Sequence, residues 1–407
     1  MSTRHLDSLF QPKSVAVIGA SGRAYSVGGT LWRNVRTGGF GGAIYPVNPK
    51  YKELDGRRCY ARVDQLPEAP ELAVICTPPA TVVELMRQLA QRGTQAVVVI
   101  TAGLSAEQKQ AMLDIARPRL MRILGPNCVG LLAPHAGLNA SFAHIPARPG
   151  QLAFISQSGA LVTAMLDWAE ARDIGFSHFV SLGEHADVDF GDMLDYLAND
   201  PQTRAILLYI ESIDDARKFM SAARAAARNK PVIAVKAGRS EQGSRAAASH
   251  TGALAGSDEV YDAAIARAGM LRVDSLEQLF LAAEILTRFR APIGDRVTIL
   301  TNGGGAGVMA ADACAAQGVP LATLGELVVR ELDTVLPANW SHDNPVDIIG
   351  DAPAQRYVDA LQVLARHPQP TGTLLFIQAP TAIVPSADIA RAMVPVVLPP
   401  ERPPLPL

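Results

Sequence analysis

Three times along the chain a short apolar run stops in a knot of glycine, serine or asparagine and gives way to a helical stretch. Ser14-Val15-Ala16-Val17-Ile18 leads into Gly19-Ala20-Ser21-Gly22-Arg23. Leu152-Ala153-Phe154-Ile155 leads into Ser156-Gln157-Ser158-Gly159-Ala160, and Val297-Thr298-Ile299-Leu300-Thr301 into Asn302-Gly303-Gly304-Gly305-Ala306-Gly307. Unbroken apolar runs of this length predict strands buried on both faces, the habit of parallel sheets. Strand, small-residue turn and helix in succession build an α/β fold whose ligands gather beyond the carboxyl ends of the strands. The expected fold is α/β with three consecutive parallel-sheet domains.

Composition excludes several function classes. The chain has 407 residues, 48% apolar and 19% charged, enough for two or three globular domains. A net charge of −2 offers no electrostatic footprint for nucleic acid or an anionic membrane. Cys59, Cys76, Cys128 and Cys314 lie far apart with no CxxC pair, so neither a zinc site nor a disulfide framework is expected. No metal site is expected. The segment Met1–Asp7 has no apolar signal core, and no run is long enough to span a bilayer. The expected compartment is the cytoplasm.

The first unit bears on nucleotide choice. Gly19-Ala20-Ser21-Gly22 departs from G-x-G-x-x-G, although its place after the first strand suits a phosphate held by backbone amides; a turn that merely needs glycine is the other reading. The second strand, Ala43-Ile44-Tyr45-Pro46-Val47, ends in Asn48-Pro49-Lys50, where a dinucleotide site wants an acid for the ribose diol. Lys50 suits a phosphorylated ribose, as in NADP or coenzyme A, or is simply solvated. Two further strands end in Thr77-Pro78-Pro79 and Thr101-Ala102-Gly103, so these turns share one crevice with residues 19–23 and 48–50. Asn127, in Gly125-Pro126-Asn127-Cys128, either meets a ligand or caps its turn.

In the second unit Ser158 either holds a compact anion or caps the following helix. Glu211 ends the strand Ala205–Ile210 and either orients an imidazole or serves as a helix N-terminal acid. Ser249-His250-Thr251-Gly252 sits in a run of very small residues, Ala246 to Gly256, with little apolar surface to bury. His250 there reads either as a swinging nucleophile that accepts and donates a phosphoryl group or as a solvated loop histidine. The third glycine turn either cradles an anion or packs closely.

Taken in order, Gly19-Ala20-Ser21-Gly22, Asn48-Pro49-Lys50, Gly125-Pro126-Asn127-Cys128, Ser156-Gln157-Ser158-Gly159 and Ser249-His250-Thr251-Gly252 resemble the ADP-forming acyl-CoA synthetases and succinyl-CoA synthetase. The resemblance covers roughly residues 8–390. It implies a Rossmann-like CoA-binding domain at 1–130, a linker at 131–150 and a succinyl-CoA-synthetase-like domain with a phosphohistidine loop at 151–290. A third flavodoxin-like domain, incomplete, would occupy 291–393, with a proline-rich tail at 394–407 whose end looks cut or altered.

Carried over by residue, the resemblance implies that Gly19, Ser21, Gly22 and Arg23 hold coenzyme A phosphates and that Lys50 pairs with the same ligand. Thr77, Pro78 and Thr101 would line its path, and Asn127 would lie near the acyl group. Ser158 and Gly159 would bind phosphate; His250 would carry the phosphoryl group, oriented by Glu211. The implied reaction converts acyl-CoA, ADP and phosphate to acid, coenzyme A and ATP. Nothing after residue 330 reads as the ATP-grasp module that binds ADP and Mg²⁺, so that module is expected in trans or as a further domain, within a homo- or hetero-oligomer.

A second resemblance competes. Gly137-Leu138-Asn139-Ala140-Ser141-Phe142 and Asp189-Phe190-Gly191-Asp192-Met193-Leu194-Asp195-Tyr196-Leu197 are similar to the acyl-CoA-sensing module of bacterial protein lysine acetyltransferases, in which the histidine is often lost. An NAD(P)-dependent dehydrogenase is the third class compatible with the first unit.

Overall fold

The computed structural model describes residues 3–243, 245, 257–288 and 294–397. His250 and the small residues around it lie outside the described residues. The chain divides into two compact units, Met1–Phe289 and Arg290–Leu407.

The first unit begins with β1 (Ser14–Ile18) and β2 (Ala43–Val47), followed by a small antiparallel hairpin of β3 (Glu53–Leu54) and β4 (Arg57–Arg58). Next come β5 (Leu72–Ile75), β6 (Ala96–Val99) and β7 (Arg122–Leu124). All five long strands are parallel, in the order β2-β1-β5-β6-β7. Every residue of β1, β5 and β6 is buried, as the unbroken apolar runs predict. Each fully buried Val, Leu or Ile contributes about 1.5–3 kcal/mol. From β1 the chain steps to β2 on one side and then to β5 on the other. The order therefore reverses at the carboxyl ends of β1 and β5, where such sheets open a crevice.

A second sheet contains β8 (Gly130–Ala133), β9 (Leu138–Ser141), β10 (Pro149–Ser156), β11 (Phe176–Ser181), β12 (Ala205–Ile210), β13 (Val232–Lys236) and β14 (Leu271–Val273). Its order is β14-β13-β12-β10-β11-β8-β9. Strands β10 to β14 run parallel; β8 is antiparallel to β11, and β9 to β8. Here the order reverses around β10, so the turn after β10 and the end of β12 face one opening.

The linker expected over residues 131–150 is instead part of this sheet. β8 and β9 form a buried edge hairpin, and β10 already begins at Pro149. Gly130 lets the strands close: its φ is +109°, and a Cβ there would stand 2.2 Å from the Ala140 carbonyl oxygen. The hairpin also ties the two sheets together. The buried Asn34 amide, on the helix Val27–Thr37, donates to the Ser141 carbonyl at 2.9 Å and the Ala143 carbonyl at 2.8 Å. Phe10 meets the His178 ring edge-on at 4.8 Å and stacks on Tyr196 at 5.1 Å, and one apolar core runs through both sheets.

The second unit contains β15 (Val297–Thr301), β16 (Val346–Asp347) and β17 (Thr373–Ile377), parallel in the order β16-β15-β17. The helices Glu326–Val335, Ala354–Arg366 and Ser386–Val397 bury Leu332, Tyr357, Leu364 and Met393 in its core. Its glycine turn favours the close-packing reading over an anion cradle. A Cβ at Gly304 would stand 2.9 Å from Asp347 Oδ2, and one at Gly307 would stand 3.2 Å from Pro345 Cβ. Those glycines already belong to the helix Gly304–Ala316.

Candidate functional site

A cleft of about 630 Å³ opens in the first unit where the carboxyl edges of its two sheets converge. Of the expected site residues, Thr77, Thr101, Asn127, Gly159 and Glu211 line it. Gly19, Ser21, Gly22, Arg23, Lys50, Pro78 and Ser158 are not among its lining residues.

The outlying group forms a rim at the first sheet. Gly19 takes φ +100° and donates its amide to the Val47 carbonyl at 2.9 Å. A Cβ at Gly28 would fall 2.1 Å from the Gly19 carbonyl oxygen, so the turn rests directly on the helix. Ser21 Oγ accepts from the Arg23 amide at 3.0 Å and meets the Tyr51 hydroxyl at 3.2 Å. Gly22, Arg23 and Lys50 are exposed. Asn48 joins the two turns: its amide nitrogen donates to the Ala20 carbonyl at 2.8 Å, and its oxygen accepts from the Lys50 amide at 2.9 Å. The helix begins later than expected, at Val27, with Ser26 as its cap accepting from the Gly29 amide at 3.1 Å. Pro78 precedes the helix Pro79–Arg92.

The inner wall is more tightly bonded. Thr101 Oγ1 donates to the Thr77 carbonyl at 2.7 Å. Asn127, at φ +57°, donates its side-chain amide to Glu184 Oε1 at 3.3 Å, while Glu184 Oε2 accepts from Lys109 Nζ at 2.6 Å. Asn127 thus reaches across to the second sheet instead of capping its own turn. The loop 183–188 is laced to the end of β7: the Glu184, Ala186 and Val188 amides donate to the Pro126, Gly125 and Ile123 carbonyls at 2.9, 3.0 and 3.1 Å. Burial pushes the Cys76 and Cys128 thiols up to about 12, which keeps both protonated and unreactive at neutral pH.

The second sheet supplies a buried polar chain. Ser158 precedes the helix Gly159–Glu170, yet its side chain makes no cap bond, which removes the capping reading. Ser156 Oγ organises that turn by accepting from the Ser158 amide at 3.0 Å and donating to the Ser158 carbonyl at 2.8 Å. Gln157 is 5% exposed, and its carbonyl oxygen accepts from the Glu211 amide at 2.5 Å and the Ser212 amide at 3.0 Å. Glu211 is 7% exposed and five residues ahead of the next helix, Ala216–Asn229, whose cap is Asp215. It is therefore not a helix N-terminal acid. Beside it, Ile210 pairs with the buried Lys236, whose ammonium lies 4.6 Å over the Tyr261 ring. Burial lowers the Lys236 pKa, while Asp258 and Glu211 oppose that shift. Sequence reasoning missed Gln157 as a clamp, Glu184, His185 and Asp214; the loop 183–188 carries no periodic or motif signal.

Residues 13–134 match the CoA binding domain, 149–286 the succinyl-CoA ligase like flavodoxin domain, and 297–400 the ligase-CoA domain. The chain is 41% identical over 400 residues to the alpha subunit of acetate–CoA ligase (ADP-forming) I of Pyrococcus furiosus, covering 96% of this chain and 86% of that subunit. The chain belongs to the ADP-forming acyl-CoA synthetase family. It is 42% identical over 395 residues to acetate–CoA ligase (ADP-forming) I of Archaeoglobus fulgidus, but spans only 57% of that longer relative. A solved acetyl-coenzyme A synthetase 1 of Ca. Korarchaeum cryptofilum, in complex with phosphate and ADP, superposes with a TM-score of 0.92 at 37% identity. That match covers 96% of this chain and 86% of that one.

Within this synthetase family the match is to its alpha-type portion, which carries the CoA-binding domain. These relatives favour the ligase reading, and the acetyltransferase resemblance gains no support from them. Among the described residues no helix is long and apolar enough to cross a membrane, and no three metal-ligating side chains stand together.

Proposed function

We propose that the chain is the alpha-type portion of an ADP-forming synthetase acting on a small acyl-CoA such as acetyl-CoA. It binds the thioester and forms a phosphohistidine at His250. The observation that carries this reading is the buried carboxylate Glu211, held at a strand end on the wall of a cleft that Thr77, Thr101 and Asn127 also line. Phosphate, steadied by the Ser158 hydroxyl and the first amides of the helix Gly159–Glu170, attacks the thioester carbonyl. The carbon–sulfur bond breaks and coenzyme A leaves as the thiolate. His250 then attacks phosphorus, the carboxylate departs, and Glu211 stabilises the charged imidazole. Asn127 lies near the acyl group.

On the rim, Gly19, Ser21, Gly22 and Arg23 bind the coenzyme A phosphates, and Lys50 pairs with the ribose phosphate; Pro78 borders the same path. Transfer to ADP belongs to an ATP-grasp partner, subunit or domain. The described residues offer no donor set for Mg²⁺, which would enter with the nucleotide there. The test is reconstitution. Chain phosphorylated from acetyl-CoA and labelled phosphate should pass its label to ADP only after an ATP-grasp beta subunit of a related enzyme is added. ATP formation without that subunit, or none with it, would overturn the reading.

A further inference from the structure

His185 lies on the cleft wall, its side chain only 9% exposed, in the left-handed region at φ +36°. It was not among the expected site residues. Its Nε2 stands 2.6 Å from the side-chain nitrogen of Gln157, and its Nδ1 stands 3.4 Å from Asp214 Oδ2. The orientation of the Gln157 amide is decided by its other bonds. Its oxygen accepts from two backbone amides, those of Glu211 and Ser212, so its nitrogen must face His185 and Ser212 Oγ, the latter at 3.3 Å. A side-chain amide nitrogen only donates, so His185 Nε2 has to accept. The ring proton is then on Nδ1, facing Asp214.

We propose that His185 is a positioning residue for phosphoryl transfer, held as the Nδ1–H tautomer between Asp214 and Gln157. The chain Asp214–His185–Gln157 fixes the Gln157 carbonyl, which holds the Glu211–Ser212 peptide at the mouth of β12. The inference rests on the reading of Glu211 as the carboxylate that orients His250. Other charged groups nearby are already engaged: Glu184 pairs with Lys109, and Asp189 with Lys218. His185 itself touches no reacting atom in this account. It acts through Gln157, and its lone pair is the feature that matters. An isosteric ring without that lone pair leaves a buried amide N–H unsatisfied and frees Gln157 to turn.

The test uses the whole chain with labelled histidine. Nitrogen chemical shifts should report His185 as neutral, with its proton on Nδ1. His185→Phe should speed amide exchange at Glu211 and Ser212 about tenfold, the loss expected when a buried hydrogen bond is broken. It should slow acetyl-CoA-dependent labelling by phosphate to a similar degree while leaving acetyl-CoA affinity unchanged. His185→Gln, which places an amide oxygen where Nε2 was, should restore both exchange protection and labelling. A proton on Nε2, or a Phe variant with wild-type exchange, would overturn the proposal. If the wild-type chain takes no label, the phosphohistidine reading falls alone, and the tautomer and the exchange rates still decide the clamp.

Discussion

The carboxyl edges of the two sheets in the first unit begin from the same strand–turn–helix unit yet present opposite surfaces. At the first, Gly22, Arg23 and Lys50 are exposed, Tyr25 stands fully in solvent, and most polar contacts serve only to shape the turns. At the second, Gln157, Glu211 and Ser212 are each at most 7% exposed and bonded to one another. Exposed charges hold a ligand through many weak contacts, each adjustable and each worth little. Buried polar groups must be satisfied, and once satisfied they hold a single geometry. On the proposed reading, one motif serves as a gripping surface where it is wet and as a reactive one where it is dry.

The sharpest break of this contrast is Gln157→Leu. It strips the acceptor from two buried amides, each costing about 1–3 kcal/mol. Urea unfolding should show that loss, and labelling by phosphate should collapse; unchanged stability would mean that the buried chain does not hold the edge. Gly28→Ala attacks the first edge through its backbone, since the new methyl meets the Gly19 carbonyl at 2.1 Å. Overpacking of this kind costs about 1–3 kcal/mol, and calorimetry should show weaker coenzyme A binding.

Lys50→Ala should cost only about 1 kcal/mol, near a fivefold loss of coenzyme A affinity, as befits an exposed charge pair. Dephospho-coenzyme A should be almost unaffected, and equal losses for both ligands would remove Lys50 from its assigned place. The smallest effect is silent at neutral pH. Burial raises the Cys128 thiol from 9.0 to about 12, so the folded chain keeps a proton that the unfolded chain gives up. The stability this thiol contributes is complete below pH 9.0 and is lost as pH rises toward about 12. Cys128→Ser should flatten that alkaline decline in unfolding midpoints.

Much of the architecture was legible because parallel strands are written as apolar runs. β1, β2, β12 and β15 fall at their expected positions. β11, Phe176–Ser181, was missed because its serines and histidine are polar yet buried, the serines satisfied by partners that no local pattern reveals. Ser181 Oγ, for instance, accepts from the Val129 amide across the sheet at 3.0 Å. The hairpin β8–β9 was hidden by its prolines and glycines, which looked like a linker but mark turns around two four-residue strands. At the cleft, Thr77, Thr101, Asn127, Gly159 and Glu211 were expected from their motifs, whereas His185 and Glu184 enter only through contacts brought by the fold.

The most direct measurement is phosphate transfer to the chain itself. Incubated with acetyl-CoA and labelled phosphate, the wild-type chain should acquire acid-labile, base-stable label that needs both reagents and disappears in His250→Ala. Label that persists in that variant, or none with any acyl-CoA supplied, would contradict the assignment of the dry edge to phosphoryl chemistry.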